Sequence, residues 1–361
     1  MHEVLIVEAT RSALVDPHGN HALGWMPASG LLAQLLRSLL NRAHVDLDAV
    51  DQIIVSESAD PESSAAIGER AWESPLLAGS RSHRPKFSGA ASSVAGLKEA
   101  IASVGAGLVD VVLVAGLDRA VRLPSDEASV EGEVGIRAGA SELARIFGLS
   151  GEAQERYRQR SMNRARLCRD GGDFTPEITP IIVDFRDGVP TVVDVDDIAE
   201  ASDDLPDGVA TGAPLAGMSE CVAGVVVCSE VWARANLDSW RARVVATTEA
   251  PSSPDVLDGP IRATRQLLDE MDCTVRAYDH CEIDETTAAV PASWTLEFEA
   301  EPRLLNPRGG ALALGETKAA AGCRMVATML GALDATGGRS GLIVSVERDG
   351  HTWAAALDAV R

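Results

Sequence analysis

One pattern occurs twice in this chain of 361 residues, and it restricts the fold more than any other feature. From Ser92 to Gly116, small residues at helical spacing break off and resume as the strand-like run D-V-V-L-V-A-G. From Gly315 to Glu347, a second small-residue helix breaks at A-T-G-G-R-S and resumes as G-L-I-V-S-V-E. A second pair has matching placement: L-D-A-V-D-Q-I-I-V-S-E-S over 47–58 and R-A-Y-D-H-C-E-I-D-E over 276–285. A mixed α/β unit used twice explains both pairs. Helices built from Ala, Gly and Ser approach their neighbours closely and suit a buried layer. Strand runs at 4–7, 50–56, 110–115, 224–229, 276–283 and 342–346 are continuous and mostly β-branched, as strands covered on both faces require. Residues 30–43 place Leu31, Leu32, Leu35, Leu36, Leu39 and Leu40 on one helical stripe.

The apolar fraction of 46% supplies a large core, and the length suits two domains or one large α/β domain. With 32 basic against 54 acidic side chains, the net charge of −22 argues against nucleic acid and anionic membranes as partners. Six cysteines make no C-x-x-C pair, which points to buried free thiols and to no metal site. The N-terminus enters a strand without a basic leader, and no apolar run reaches the ~18 residues of a membrane span. The expectation is a cytoplasmic protein.

The middle of the chain breaks the duplicated pattern. Residues 119–133 read as a polar loop, and 150–169 as a basic helix with Arg156, Arg160 and Arg164 at i, i+4 and i+8. A hairpin follows with its turn near Asp187-Gly188, then an acidic loop over 194–207. This block reads as an insertion between core strands.

Six segments in order resemble the thiolases, enzymes that make or break a carbon–carbon bond between acyl-CoA units. They are E-A-T-R-S-A-L, S-S-V-A-G-L-K-E-A-I, D-V-V-L-V-A-G-L-D, A-G-M-S-E-C-V-A-G-V-V-V, E-I-D-E-T-T-A-A and N-P-R-G-G-A-L-A-L-G-E-T-K-A-A-A-G. The last is the most specific, and together they span nearly the whole chain. The resemblance implies a thiolase fold: two similar mixed-sheet halves of five strands each, layered α/β/α/β/α, with an inserted loop domain. It divides the chain into a first half (1–118 and 206–232), an insertion (119–205) and a second half (233–361). It also implies a dimer paired through the strand at 86–90.

The same resemblance marks where this chain departs. Ser93 stands at the nucleophilic cysteine, Glu316 at the histidine that activates it, Asp284 at an asparagine, and Ser345 or Val346 at the second cysteine. E-R-D-G (347–350) replaces a glycine-rich loop, which removes backbone freedom at an oxyanion site. A serine hydroxyl needs a general base, and Glu316 has the chemistry of one. An ionised carboxylate, however, cannot donate a hydrogen bond to an oxyanion. Ala216 stands where the family has a serine facing pantetheine. Arg156, Arg160 and Arg164 are candidates for nucleotide phosphates, because guanidinium forks suit them. His280 alternates to the face opposite Cys281 and reads as core or interface, while His18 and His21 fall in a glycine-bearing loop.

Two functions follow as expectations. The first is a thiolase-like protein of lipid metabolism that binds or acts on acyl-CoA with non-standard acyltransferase or carbon–carbon bond chemistry. It has no resident cofactor, the coenzyme A thioester being substrate. The second is a non-catalytic thiolase-fold subunit, a pseudoenzyme paired with a catalytic homologue or a small OB-fold partner.

Overall fold

The computed structural model describes residues 2–360 apart from 18–22, 24–25, 59–62, 78, 80–82, 120–126, 185–189, 199–214, 252–254 and 348–350. The first part of the chain contributes β1 (Val4–Arg11), α1 (Ala28–Ala43), β2 (Gln52–Glu57), α2 (Ser64–Trp72), β3 (Lys86–Gly89), α3 (Ser93–Gly105) and β4 (Val111–Asp118). The middle contributes α4 (Glu127–Ile146), α5 (Gly151–Gly171), β5 (Ile181–Asp184) and β6 (Pro190–Val193). The remainder contributes β7 (Cys221–Ser229), α6 (Glu230–Asn236), β8 (Ala242–Pro251), α7 (Gly259–Glu270), β9 (His280–Ile283), α8 (Ala289–Glu297), α9 (Ala311–Leu314), α10 (Ala321–Thr336), β10 (Ser340–Val346) and β11 (His351–Ala359).

The strand order β3-β2-β4-β7-β1-β8-β11-β10-β9 shows the duplication directly. In the first half, β2 runs parallel to β3 and β4, and β4–β7 and β7–β1 are antiparallel. In the second half, β9 runs parallel to β10, and β10–β11 and β11–β8 are antiparallel. The halves join edge to edge through β1 and β8, paired only from Val4↔Val244 to Ile6↔Ala242. The five-strand expectation holds for the first half. In the second half the position of β3 is taken by a single parallel bridge, Cys281↔Leu305. Pro302 and Pro307 flank that bridge, and proline cannot donate to a ladder.

Three cores separate the layers. The leucine stripe of α1 is buried with Trp72 of α2 against one face of the first sheet, each leucine contributing about 1.5–3 kcal/mol by leaving water. α7 and α8 cover the outer face of the second sheet in the same way, around Leu267 and Trp294. Between the two sheets lie α3 and α10, with Leu97, Val114, Cys323, Val326, Met329 and Ile343 in one cluster. Every residue of α10 from Ala321 to Leu333 is buried. The small residues make this layer possible: a Cβ on Gly116 would sit 2.5 Å from the Ala320 Cα, and one on Gly322 only 2.9 Å from the Val94 amide nitrogen.

The insertion differs in part from its sequence reading. Residues from Glu127 onward form α4 rather than a loop. The segment is rich in Ala and Glu, strong helix formers, and its later turns bury Ala140 and Ala144 beside Ala289 of α8. β5 and β6 pair as expected, but the turn at Asp187-Gly188 lies outside the described residues. So do His18, His21 and most of the acidic stretch 194–207. The described part of that stretch is not simply solvated. Asp196 is buried and takes both Nη atoms of Arg11 at 2.7 and 2.8 Å. Arg11 Nε donates to Glu177 at 2.8 Å, Arg308 pairs with the other Glu177 oxygen, and both guanidinium groups lie over Phe174. This buried cluster fastens the insertion to β1 and to the segment leading into α9.

Candidate active site

The N-termini of α3 and α10 meet end to end. Ser92 is the N-cap of α3, its extended backbone letting Oγ accept from the Ala95 amide at 3.1 Å. The Ser93 amide donates to the Ala319 carbonyl at 2.7 Å, and Ser93 Oγ accepts from the Cys323 amide at 3.2 Å. Asp118, at the end of β4, accepts from the Ala319 and Ala320 amides at 3.1 and 2.8 Å. Its two oxygens and Ser93 Oγ thus satisfy amides at the start of α10 that have no partner within the helix. Burial pushes the Asp118 carboxyl above the usual range, opposed by those amide bonds.

From this junction a closed circuit of bonds runs through the segments that hold Ser93, Glu316, Ala216 and Asp284. Glu316 precedes Ala319 in the same turn, and its amide donates to the Gly217 carbonyl. The Ala216 amide donates to the Thr286 carbonyl at 3.0 Å. The Thr286 amide and Oγ1 donate to Asp284 Oδ1 at 2.7 and 2.6 Å. The Val346 amide reaches Asp284 Oδ2 at 3.4 Å. Glu347, the next residue, accepts from Ser92 Oγ at 3.0 Å and closes the circuit. Ser93, Glu316, Asp284 and Ala216 therefore border one region at the C-terminal ends of β4, β9 and β10. Asp284 and Glu316 are half-buried there, and Ser93 is 1% exposed.

The other candidates fall elsewhere or take structural bonds. Ser345 is buried on the face of β10 that carries Ile343, and among the described residues its Oγ has no hydrogen-bond partner. Arg156 pairs with Glu152 at the surface, and Arg160 lies 4.7 Å over the Tyr157 ring. Arg164 donates to the Leu305, Asn306 and Pro302 carbonyls at 2.6, 3.2 and 2.8 Å, so it holds the segment beside β9. His280 bonds Thr336 on α10, opposite the Cys281 face. All six thiols are free, with Cys221 and Cys228 pushed up to about 12 by burial. Among the described residues no cluster of three or more His, Cys, Asp or Glu is placed to hold a metal, and no helix is long and apolar enough to cross a membrane.

Sequence reasoning missed the group that closes the circuit. The Glu347 carboxylate sits between Ser92 and Lys98, whose Nζ is 3.0 Å from Glu347 and 2.8 Å from Glu249. A second missed group is buried deeper: burial pushes the Glu282 carboxyl up to about 8, opposed by the charge of Arg324. Polar residues inside two strand-like and helix-like apolar runs were the available signal for both.

Residues 238–359 match the model of the thiolase C-terminal domain. Over nearly the full length, the chain is 27% identical to cytosolic acetyl-CoA acetyltransferase of Mus musculus, covering 94% of each. It is 29% identical to steroid 3-ketoacyl-CoA thiolase FadA6 of Mycobacterium tuberculosis, covering 97% of this chain and 92% of that one. Its fold superimposes on the Bacillus anthracis acetyl-CoA acetyltransferase with a TM-score of 0.84 at 21% identity, covering 100% and 99% of the two chains. Human mitochondrial 3-ketoacyl-CoA thiolase gives 0.83 at 20% identity, covering 99% of each. The duplicated layers and these likenesses agree: the chain has the thiolase fold, and its residues 238–359 match the thiolase C-terminal domain.

Proposed function

We propose that the chain binds acyl-CoA thioesters on its thiolase frame without carrying the acyl group on Ser93, and serves as a non-catalytic subunit beside a catalytic thiolase homologue or a small OB-fold protein. The observation that carries this reading is the state of Ser93. Its Oγ caps α10 through the Cys323 amide, and its side chain is buried against that helix. A serine acts as nucleophile when a base takes its proton, and among the described residues Ser93 Oγ has the Cys323 amide as its partner. Supporting the acyl-CoA part are the relatives, whose names describe acetyl-CoA acetyltransferase and ketoacyl-CoA thiolase. The division at 118/119, 205/206 and 232/233 belongs to the same proposal, as do dimerisation through β3, an edge strand with one partner, and a cytoplasmic location.

A second reading is favoured by the two half-buried carboxylates on the circuit. Asp284 and Glu316 would then carry carbon–carbon bond chemistry on a non-covalently held thioester, one as base and the other protonated as donor. Calorimetry with acetyl-CoA, together with purification from the native cell, tests the first reading. Binding without turnover and a stoichiometric second polypeptide support it. A homodimer that turns the thioester over without a partner defeats it and leaves the second.

A further inference from the structure

We propose that Arg324 of α10 and Glu282 of β9 form a buried seat for one small inorganic anion, such as chloride, beneath the candidate site. α10 runs against β9 and β10 in the opposite direction: Thr336 bonds His280 at the start of β9, and a Cβ on Gly341 would meet Met329. Glu282 is in register with Ile343, two residues past Gly341. That advance of about 6.6 Å equals about four helix residues and sets Glu282 level with Arg324 and Met325. Both side chains are interior, Arg324 being 5% and Glu282 1% exposed. Among the described residues, Nε and Nη1 of Arg324 have no acceptor and Glu282 Oε1 has no donor. Two groups within electrostatic reach thus do not meet at these atoms. Ser345 Oγ, on the same sheet face and beside Asp284, is unpartnered as well. The other charges that act on Glu282 are engaged: Glu177 holds Arg11 and Arg308, and Glu285 takes Tyr157 and Ser161. Burial outweighs them all and keeps the Glu282 carboxyl up to about 8, so near neutral pH it is a proton donor. Two guanidinium N–H groups, a carboxylic acid and a hydroxyl then supply donors around one buried positive charge. Such a charge needs an acceptor that carries the opposite sign. A small anion meets both needs and ties α10 to β9 two residues before Asp284.

Bromide is the probe, because it scatters anomalously and shares the charge and bonding of chloride. Crystals of the natural chain grown in sodium bromide should show an anomalous peak within hydrogen-bond reach of Arg324 Nε and Nη1. In solution, chloride at about a hundredfold excess over its dissociation constant should raise the melting temperature by about 3–4 °C relative to gluconate at equal ionic strength. The rise should vanish in Arg324→Met. In the natural chain it should also fade above about pH 8, where Glu282 ionises and neutralises Arg324 itself. It should persist there in Glu282→Gln, whose amide still donates and carries no charge. That variant keeps the comparison if Arg324→Met fails to fold. Absence of bromide at Arg324, an equal rise in gluconate, or a chloride effect that survives Arg324→Met or ignores pH in the natural chain would overturn the inference. None of these readouts involves a thioester, so the result stands apart from the reading of Ser93.

Discussion

Replacing Arg11 by methionine should cost the protein more than any surface change. The guanidinium is fully buried and makes three charge-assisted bonds, one to Glu177 and two to Asp196. Removing it leaves two carboxylates, each about 2% or less exposed as side chains, with Arg308 still paired to Glu177. Breaking a buried pair from one side costs about 3–5 kcal/mol, because the abandoned charge stays desolvated. Unfolding entropy of about 2.1 cal/mol/K per residue over 361 residues gives roughly 0.76 kcal/mol/K, so the loss lowers the melting temperature by about 4–7 °C. Arg11→Lys should recover little, since one ammonium cannot reproduce the fork on Asp196. Arg11→Met with Asp196→Asn should recover more than half, because the stranded charge is gone. Urea unfolding at neutral pH followed by circular dichroism supplies all four values. A loss below about 1 kcal/mol for Arg11→Met, or full recovery with Lys, would refute the assignment of this cluster as the clamp between insertion and core.

Three further outcomes follow from the same geometry. The folded-state pKa of Glu282 is raised to about 8, above its unfolded value, so the native state holds the extra proton between about pH 4.5 and 8. Stability from this group is complete below that window and falls as pH rises through it; Glu282→Gln should flatten the decline in urea midpoints between pH 5 and 8. Ser93→Ala leaves the buried Cys323 amide without an acceptor and should cost about 1–3 kcal/mol in the same assay. Gly322→Ala drives a methyl to 2.9 Å from the Val94 amide nitrogen and should cost about 1–3 kcal/mol, with Ser92 and Ser93 displaced as read by faster amide exchange in the first turn of α3.

The duplicated halves were legible because their strands and small-residue helices carry strong, regular patterns. Two core strands were not: β8 (A-R-V-V-A-T-T-E-A-P) and β11 (H-T-W-A-A-A-L-D-A) are rich in alanine and threonine, and their pairing partners supply the order that composition does not. The helix at Glu127 was hidden by polarity, since its turns are fixed by α8 more than 140 positions later. Motif order placed Ser93, Asp284 and Glu316 on one circuit, because family spacing encodes which segments converge. It gave no sign of what each side chain bonds. Asp196 looked like one charge in an acidic loop, while its partner Arg11 lies 185 positions away. Glu347 looked like a lost glycine loop, while its carboxylate reaches back to Ser92. Net charge has the same lesson in it. The −22 argues for acidic surfaces, yet Asp118, Glu177, Asp196 and Glu282 are interior.

The central claim is that Ser93 caps α10 and does not become acylated. Intact mass of the protein after incubation with acetyl-CoA and longer acyl-CoAs, with Ser93→Ala in parallel, tests it most directly. The account predicts an unchanged mass for both proteins under conditions where calorimetry detects bound thioester. An acyl adduct on the natural chain that Ser93→Ala abolishes would contradict it.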